Sequence, residues 1–150
     1  MKKDLSNIKK AKYLLDNNHC VAIPTETVYG LAANAYSDKA TSKIFKLKKR
    51  PKSNPLIVHY SRVQDLRKDC EINSNFQKLY SKFCPGPLTF VLKLKKESKI
   101  SKNVTNRKNT LAVRFPKNLV TRNLLSYLKY PLAAPSANIY TQLSPVSKKD

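Results

Sequence analysis

Leu5, Ile8, Ala11 and Leu15 recur at helical spacing, with Asp4 or Ser6 placed to cap, so the chain is expected to begin with an amphipathic helix. "CVAIP" (20–24) predicts a short buried strand that Pro24 stops. Ser37 stands at the start of a second helical pattern running through Lys49, with Ala40, Ile44 and Leu47 on one face and Pro51 closing it. "PLIVHY" (55–60) is a continuous apolar run of strand length. Val63, Leu66 and Cys70 mark a further helix, and Phe76, Leu79, Tyr80 and Phe83 another, before "CPGP" (84–87) breaks the chain. "LTFVLKLK" (88–95) alternates, with Leu88, Phe90, Leu92 and Leu94 on one side, as in a sheet with one face on the core. After a basic polar loop come the strand "TLAVRFP" (110–116), a helix over Leu119 to Leu128 and the strand "PLAAPSAN" (131–138).

Strands alternating with helices predict an α/β domain with a largely parallel or mixed sheet. Ligands of such sheets usually lie beyond the carboxyl ends of the strands. "PTET" (24–27), His59, Arg114–Pro116 and "PSAN" (135–138) would fall there, and one crevice would collect all four.

Composition narrows the classes. The 150 residues fit one domain, and 41% hydrophobic residues suit a folded core. No apolar run approaches the ~20 residues of a membrane span, and the charged start does not read as a signal peptide. Cys20, Cys70 and Cys84 form no CxxC pair, so reduced thiols in a cytoplasm, and no structural zinc, are expected. The net charge is +21, and from residue 72 onward 15 Lys/Arg face only Glu97 and Asp150. Such a surface attracts polyanions, RNA among them. A general bias toward Lys and Asn would give the same charge, and charge alone does not separate the two.

Two glycines exclude a glycine-rich phosphate loop, so side chains must hold the phosphates of any bound nucleotide. Five cations lie within residues 46–52, "KLKKRPK", and Lys48 and Arg50 lead through Asn54 into the strand ending at His59. Cations at a helix end also interact well with its dipole, which is the plain alternative for this cluster. Arg grips phosphate with two donors, while Lys supplies a compact charge. Glu26 is the only carboxylate inside a motif, which argues against a glycosidase pair or a carboxylate-held two-metal site. A Ser-His-Asp triad is weakly supported, and a Cys20–His59 pair is non-specific. The residues suit an already anionic nucleophile meeting a phosphate, with positioning and charge neutralisation as the main work.

"IPTETVYGLAANA" (23–35), "KLKKRPKSNPLIVH" (46–59), "CPGPLTFVL" (84–92), "LAVRFP" (111–116) and "PSAN" (135–138) stand in the order found in the YrdC-like family. The chain resembles its L-threonylcarbamoyl-AMP synthases from about residue 20 to its last residues. The resemblance implies a single YrdC-like domain over 1–150, a twisted mixed or parallel sheet flanked by helices with an open, basic, concave face. It implies condensation of L-threonine, bicarbonate and ATP to threonylcarbamoyl-AMP and pyrophosphate, for threonylcarbamoyladenosine in tRNA. Lys48 and Arg50 match the family's KxR element, and Ser136 and Asn138 its SxN element; with Asn54 they are the implied ATP site. Thr25, His59, Thr110 and Arg114 match positions lining the threonine site.

The resemblance further implies Mg²⁺ carried in on ATP, no tightly bound cofactor, no protein metal site and a downstream threonylcarbamoyl transferase machinery. Taken singly, Thr25 reads as a turn cap, His59 as a sheet-edge histidine, and Ser136 with Asn138 as turn closers. Gly30 and Gly86 are expected to serve tight turns. Cys84 stands where the family usually has an aromatic residue, and the chain stops at "SPVSKKD", where the family continues. The competing readings are a non-catalytic double-stranded RNA- or tRNA-binding YrdC-like module and, more weakly, an acyladenylate-handling domain of the kind used in hydrogenase maturation.

Overall fold

The computed structural model describes residues 2–137. In chain order the elements are α1 (Lys2–Asp16), β1 (Val21–Ile23), β2 (Gly30–Asn34), α2 (Asp38–Lys48), β3 (Ile57–His59), α3 (Val63–Leu66), α4 (Ser74–Phe83), β4 (Thr89–Lys93), α5 (Lys102–Thr105), β5 (Thr110–Arg114), α6 (Leu119–Ser126) and β6 (Leu132–Ala133). The expected α/β architecture is present as one six-stranded sheet in the order β1-β2-β6-β3-β5-β4. It is mixed: β3 and β5 run parallel, and every other neighbouring pair is antiparallel.

Most elements follow the sequence pattern closely. Ser37 caps α2, its hydroxyl accepting from Ala40 N at 3.0 Å, and Asn73 caps α4 in the same way through Phe76 N. Several expectations are corrected. The first helix already contains Asp4 and Ser6, so neither caps it. Ala40, Ile44 and Phe76 face the core as expected, but Leu47, Leu79 and Phe83 are exposed, and in α2 Phe45 is buried where Leu47 was expected. The helix at Val63 ends by Leu66, and "PLAAPSAN" is a strand only at its second and third residues. Two elements were not expected. "GLAAN" forms β2, a strand of small residues without β-branched members to mark it, and α5 sits inside the basic loop behind a Ser101 cap.

The two faces of the sheet are covered unequally. One face buries Val58, Phe90, Leu92, Leu111 and Val113 against α2 and α4. On the other face, Ile23, Ala32 and Leu132 pack with Leu15 of α1 and with Leu124 and Leu125 of α6. Because strand side chains alternate, β3, β5 and β4 present Ile57, His59, Thr110, Ala112, Arg114, Thr89, Val91 and Lys93 on that second face. Val91 there is 68% exposed, so this half of the face opens to solvent and carries the cations Lys93 and Arg114. Among the described residues, no helix is long and apolar enough to cross a membrane.

Candidate functional site

The parallel β3–β5 ladder pairs His59 with Arg114 and Ile57 with Ala112, which sets the histidine and the guanidinium side by side on that second face. Arg114 is steered by Thr89 of β4, whose hydroxyl accepts from Nη2 at 2.8 Å and Nε at 3.1 Å. His59 is buried, and burial, followed by the charge of Arg114, lowers its pKa to about 4 against a weaker opposing hydrogen bond to Ala134. The ring is therefore neutral at pH 7. Nε2 lies 3.4 Å from the Ala134 carbonyl oxygen, which makes Nε2 the protonated nitrogen. Nδ1 is then an acceptor, and it is buried without a hydrogen-bond partner. A buried lone pair of this kind is costly unless something else donates to it.

Thr110 opens β5 on the same face and is exposed. Extending the β3–β5 register two places brings it level with Pro55, whose carbonyl accepts from Arg50 Nη2 at 3.0 Å. Arg50 also donates through Nε to the Asn54 carbonyl at 3.3 Å, so the guanidinium clasps the turn entering β3. Asn54 contributes its backbone to that turn. Lys49 ends α2 in the left-handed conformation (φ 52°), which turns the chain from Lys48 toward Arg50.

Lys48 is 2% exposed, and its ammonium donates to the Ser136 carbonyl. Burial, with the nearby Arg50 charge second, holds its pKa below the ordinary lysine value. The segment carrying Ser136 is tied down by Leu31 N to Pro135 O (2.8 Å) and Ala137 N to Tyr29 O (2.8 Å), with Gly30 bridging Ser136. Gly30 is needed for this approach: a Cβ there would lie 3.3 Å from Ala134 Cβ and 3.4 Å from Pro135 O. Neither Gly30 nor Gly86 has positive φ, so close backbone contact, not turn conformation, calls for glycine at both. Asn138, the other residue of the SxN element, lies outside the described residues.

The "PTET" loop is braced from within and from α6. The Thr25 hydroxyl donates to Val28 O and accepts from Val28 N at 3.2 Å, closing a local turn. The Glu26 carboxylate accepts from the amides of Lys117 and Asn118, and the Thr121 hydroxyl donates to Pro24 O. Sequence reading noted Glu26 as an isolated acid but gave it no task. The signal lay in an acid that could reach the orphan amides of a helix start.

One expectation about assembly is corrected. β1 and β6 run opposite to β3 and β5, so "PTET" and "PSAN" leave the sheet at the other edge from His59 and Arg114. The carboxyl-end rule for parallel sheets therefore does not gather the four groups. His59 spans the gap, since it stands in β3 yet reaches Ala134 at the start of the "PSAN" segment. Cys20 does not pair with His59; its thiol faces the Ala40 carbonyl at 4.0 Å, and burial raises its pKa. Among the described residues, no three His, Cys, Asp or Glu side chains cluster as metal ligands. The arrangement offers a buried ammonium, two guanidinium groups and a neutral imidazole acceptor, a set that suits an anionic substrate.

The Sua5/YciO/YrdC family model, described as telomere recombination, matches residues 13–150. The threonylcarbamoyl-AMP synthase of Pyrococcus abyssi is 40% identical over 93% of this chain and 41% of its own length. That of Bacillus subtilis is 41% identical over 92% of this chain and 40% of its own. The chain thus spans about two fifths of the length of these relatives. Among solved structures, P. abyssi Sua5 complexed with L-threonine superposes with a TM-score of 0.89 at 39% identity, covering 93% of this chain and 41% of that one. Escherichia coli YciO, at 20% identity and a TM-score of 0.79, shares the fold.

Proposed function

The chain belongs to the Sua5/YciO/YrdC family, and from that premise we propose that it is the catalytic domain of an L-threonylcarbamoyl-AMP synthase. It takes L-threonine, bicarbonate and ATP, releases pyrophosphate, and supplies an activated threonylcarbamoyl group for transfer to an adenosine of tRNA in the cytoplasm. The observation that carries the reading is Lys48, a buried ammonium reaching the Ser136 carbonyl, with Arg50 two residues further along the chain. A buried ammonium close enough to feel a second cation attracts an arriving anion strongly, because little solvent screens the charge.

Threonine carbamate is an anion, and its oxygen attacks the α-phosphorus of ATP as the bond to the β-phosphate oxygen breaks. Two anions must approach, so charge neutralisation by Lys48 and Arg50 outweighs any need for a base. Ser136 and Asn138 shape the adenylate side of the site, and Asn54 holds the turn that positions Arg50. Arg114, oriented by Thr89, pairs with the amino acid carboxylate. His59 Nδ1, neutral and unpartnered, accepts from a threonine N–H or O–H, with Thr110 and Thr25 at the rim. Mg²⁺ brought with ATP as part of the substrate would add charge neutralisation to that of Lys48 and Arg50.

The test is pyrophosphate release from ATP with threonine and bicarbonate omitted in turn. Release should need both, and Lys48→Ala or Arg50→Ala should lower kcat/KM at least about 100-fold, as loss of a charge contact in the transition state does. Lys78→Ala, an exposed change on α4, should leave it unchanged. Threonine-independent release, or equal effects of all three substitutions, would overturn the assignment.

A further inference from the structure

The sheet edge away from Ser136 holds a cavity that the proposed catalysis does not use. β2 and β3 lead there into Tyr36 and Tyr60, just past their last residues, and β6 begins there after Tyr130 and Pro131. Its volume is about 780 Å³, and none of the described residues assigned to catalysis or substrate binding lines it. We propose that this cavity is a docking site for the phosphodiester backbone of RNA.

Its walls come from separate parts of the chain. Arg122, Asn123 and Ser126 project from the side of α6 that turns away from the core, and Lys129 follows the helix. Arg62 and Lys68 face them from around α3. The floor is rigid, because buried Asp69 accepts hydrogen bonds from Tyr36 (2.8 Å) and Tyr60 (2.7 Å). Among the described residues Asp65 is the one acid lining the cavity, and it is shared between Arg62 at 3.2 Å and Lys68 at 3.5 Å. Among the described residues neither Arg122 nor Lys129 has an ion pair, and Asp16, close enough to sense Lys129, is already held by Lys12 and Tyr130. The cavity therefore keeps a surplus of positive charge.

The form of the site selects the ligand. The volume exceeds what one phosphate needs and falls in the range of pockets for larger groups. None of the four cations is buried, and Arg62, Lys68 and Lys129 are exposed at the rim. Spread, flexible, hydrated cations suit a row of single phosphodiester charges, whereas a triphosphate end needs converging donors. The amides at the α6 N-terminus, which could clasp a terminal phosphate, are already taken by Asn118 and Glu26. An overall charge of +21 adds long-range attraction for the same ligand.

The inference rests on the proposed tRNA-directed role only for the identity of the polyanion. RNA binding is measured without ATP or threonine, so its outcome stays separate from that of catalysis. Affinity for an unmodified tRNA transcript is read by fluorescence anisotropy across a salt series. Arg122→Gln/Lys129→Gln should weaken binding about tenfold near physiological salt and flatten the log–log salt slope by roughly 1.5, while pyrophosphate release stays unchanged. The matched pair Lys78→Gln/Lys82→Gln on α4 should do neither. Asp65→Asn, which removes that acid, should tighten binding a few-fold, a gain that damaged folding does not produce. Equal losses in both double variants, or unchanged or weaker binding by Asp65→Asn, would overturn the site. If instead the cavity variant loses tripolyphosphate but keeps RNA, the occupant is a small polyphosphate and the RNA assignment is wrong.

Discussion

Burying His59 as a neutral ring links stability to pH. Above pH 6.5 the ring is uncharged in folded and unfolded chains alike, and it adds no pH dependence. Between 6.5 and about 4 the unfolded chain takes up a proton that the folded one refuses, so stability falls with falling pH and levels off below 4. The full effect is roughly 3 kcal/mol for a shift of this size. Urea unfolding at pH 7.5 and 4.5 should show a larger acid loss for the natural protein than for His59→Gln; identical losses would mean the ring is not the origin. The two glycines make a second test. At Gly86 a Cβ would lie 2.7 Å from the Phe83 carbonyl oxygen, a backbone atom that cannot swing aside. Gly86→Ala should cost about 1–3 kcal/mol, and Gly30→Ala, with 3.3 Å to Ala134 Cβ, less, as thermal unfolding would register.

α6 carries the "PTET" loop as well as part of the core, and its N-terminus is secured twice. Asn118 accepts from Val120 N at 3.0 Å and Thr121 N at 3.4 Å, and Glu26 takes the two preceding amides. Asn118→Ala should cost about 1 kcal/mol in denaturant unfolding. If the chain is the proposed synthase, Glu26→Gln should raise KM for threonine more than it lowers kcat, because the loop bearing Thr25 loses its anchor; a pure kcat effect would argue for a direct chemical role. The Asp69 carboxylate joins the ends of β2 and β3 to Ser98, accepting from Tyr36, Tyr60 and the serine hydroxyl at 2.7 Å. Burial, with Asp69 contributing, raises both tyrosine pKa values, so these hydroxyls stay protonated donors. Tyr60→Phe leaves a buried acceptor short of one donor and should cost about 1–3 kcal/mol.

At the scale of the molecule, a charge of +21 on 150 residues opposes compaction through self-repulsion. Raising NaCl from 50 to 300 mM should lift Tm by several degrees, and a flat response would show that the cations are spaced beyond mutual influence. Hydrophobic spacing, caps and breakers were enough to read α2, α4, β4 and β5, because each follows from contacts within a few residues of sequence. The ordered motifs named Lys48, Arg50, Ser136, His59 and Arg114 as candidates, and the structure brings Lys48 to Ser136 and His59 to Arg114. They did not reveal β2, whose small residues have no strand signature of their own and become a strand only by pairing between β1 and β6. Nor did they indicate that β6 enters between β2 and β3 against the direction of β3, which is what brings Ala134 to His59 and Ser136 to Lys48. Local sequence carries the period of an element and the chemistry of its side chains. Which strand lies beside which, and in what direction, is settled by pairing and burial across 75 to 88 residues of chain, and only the folded structure decides it.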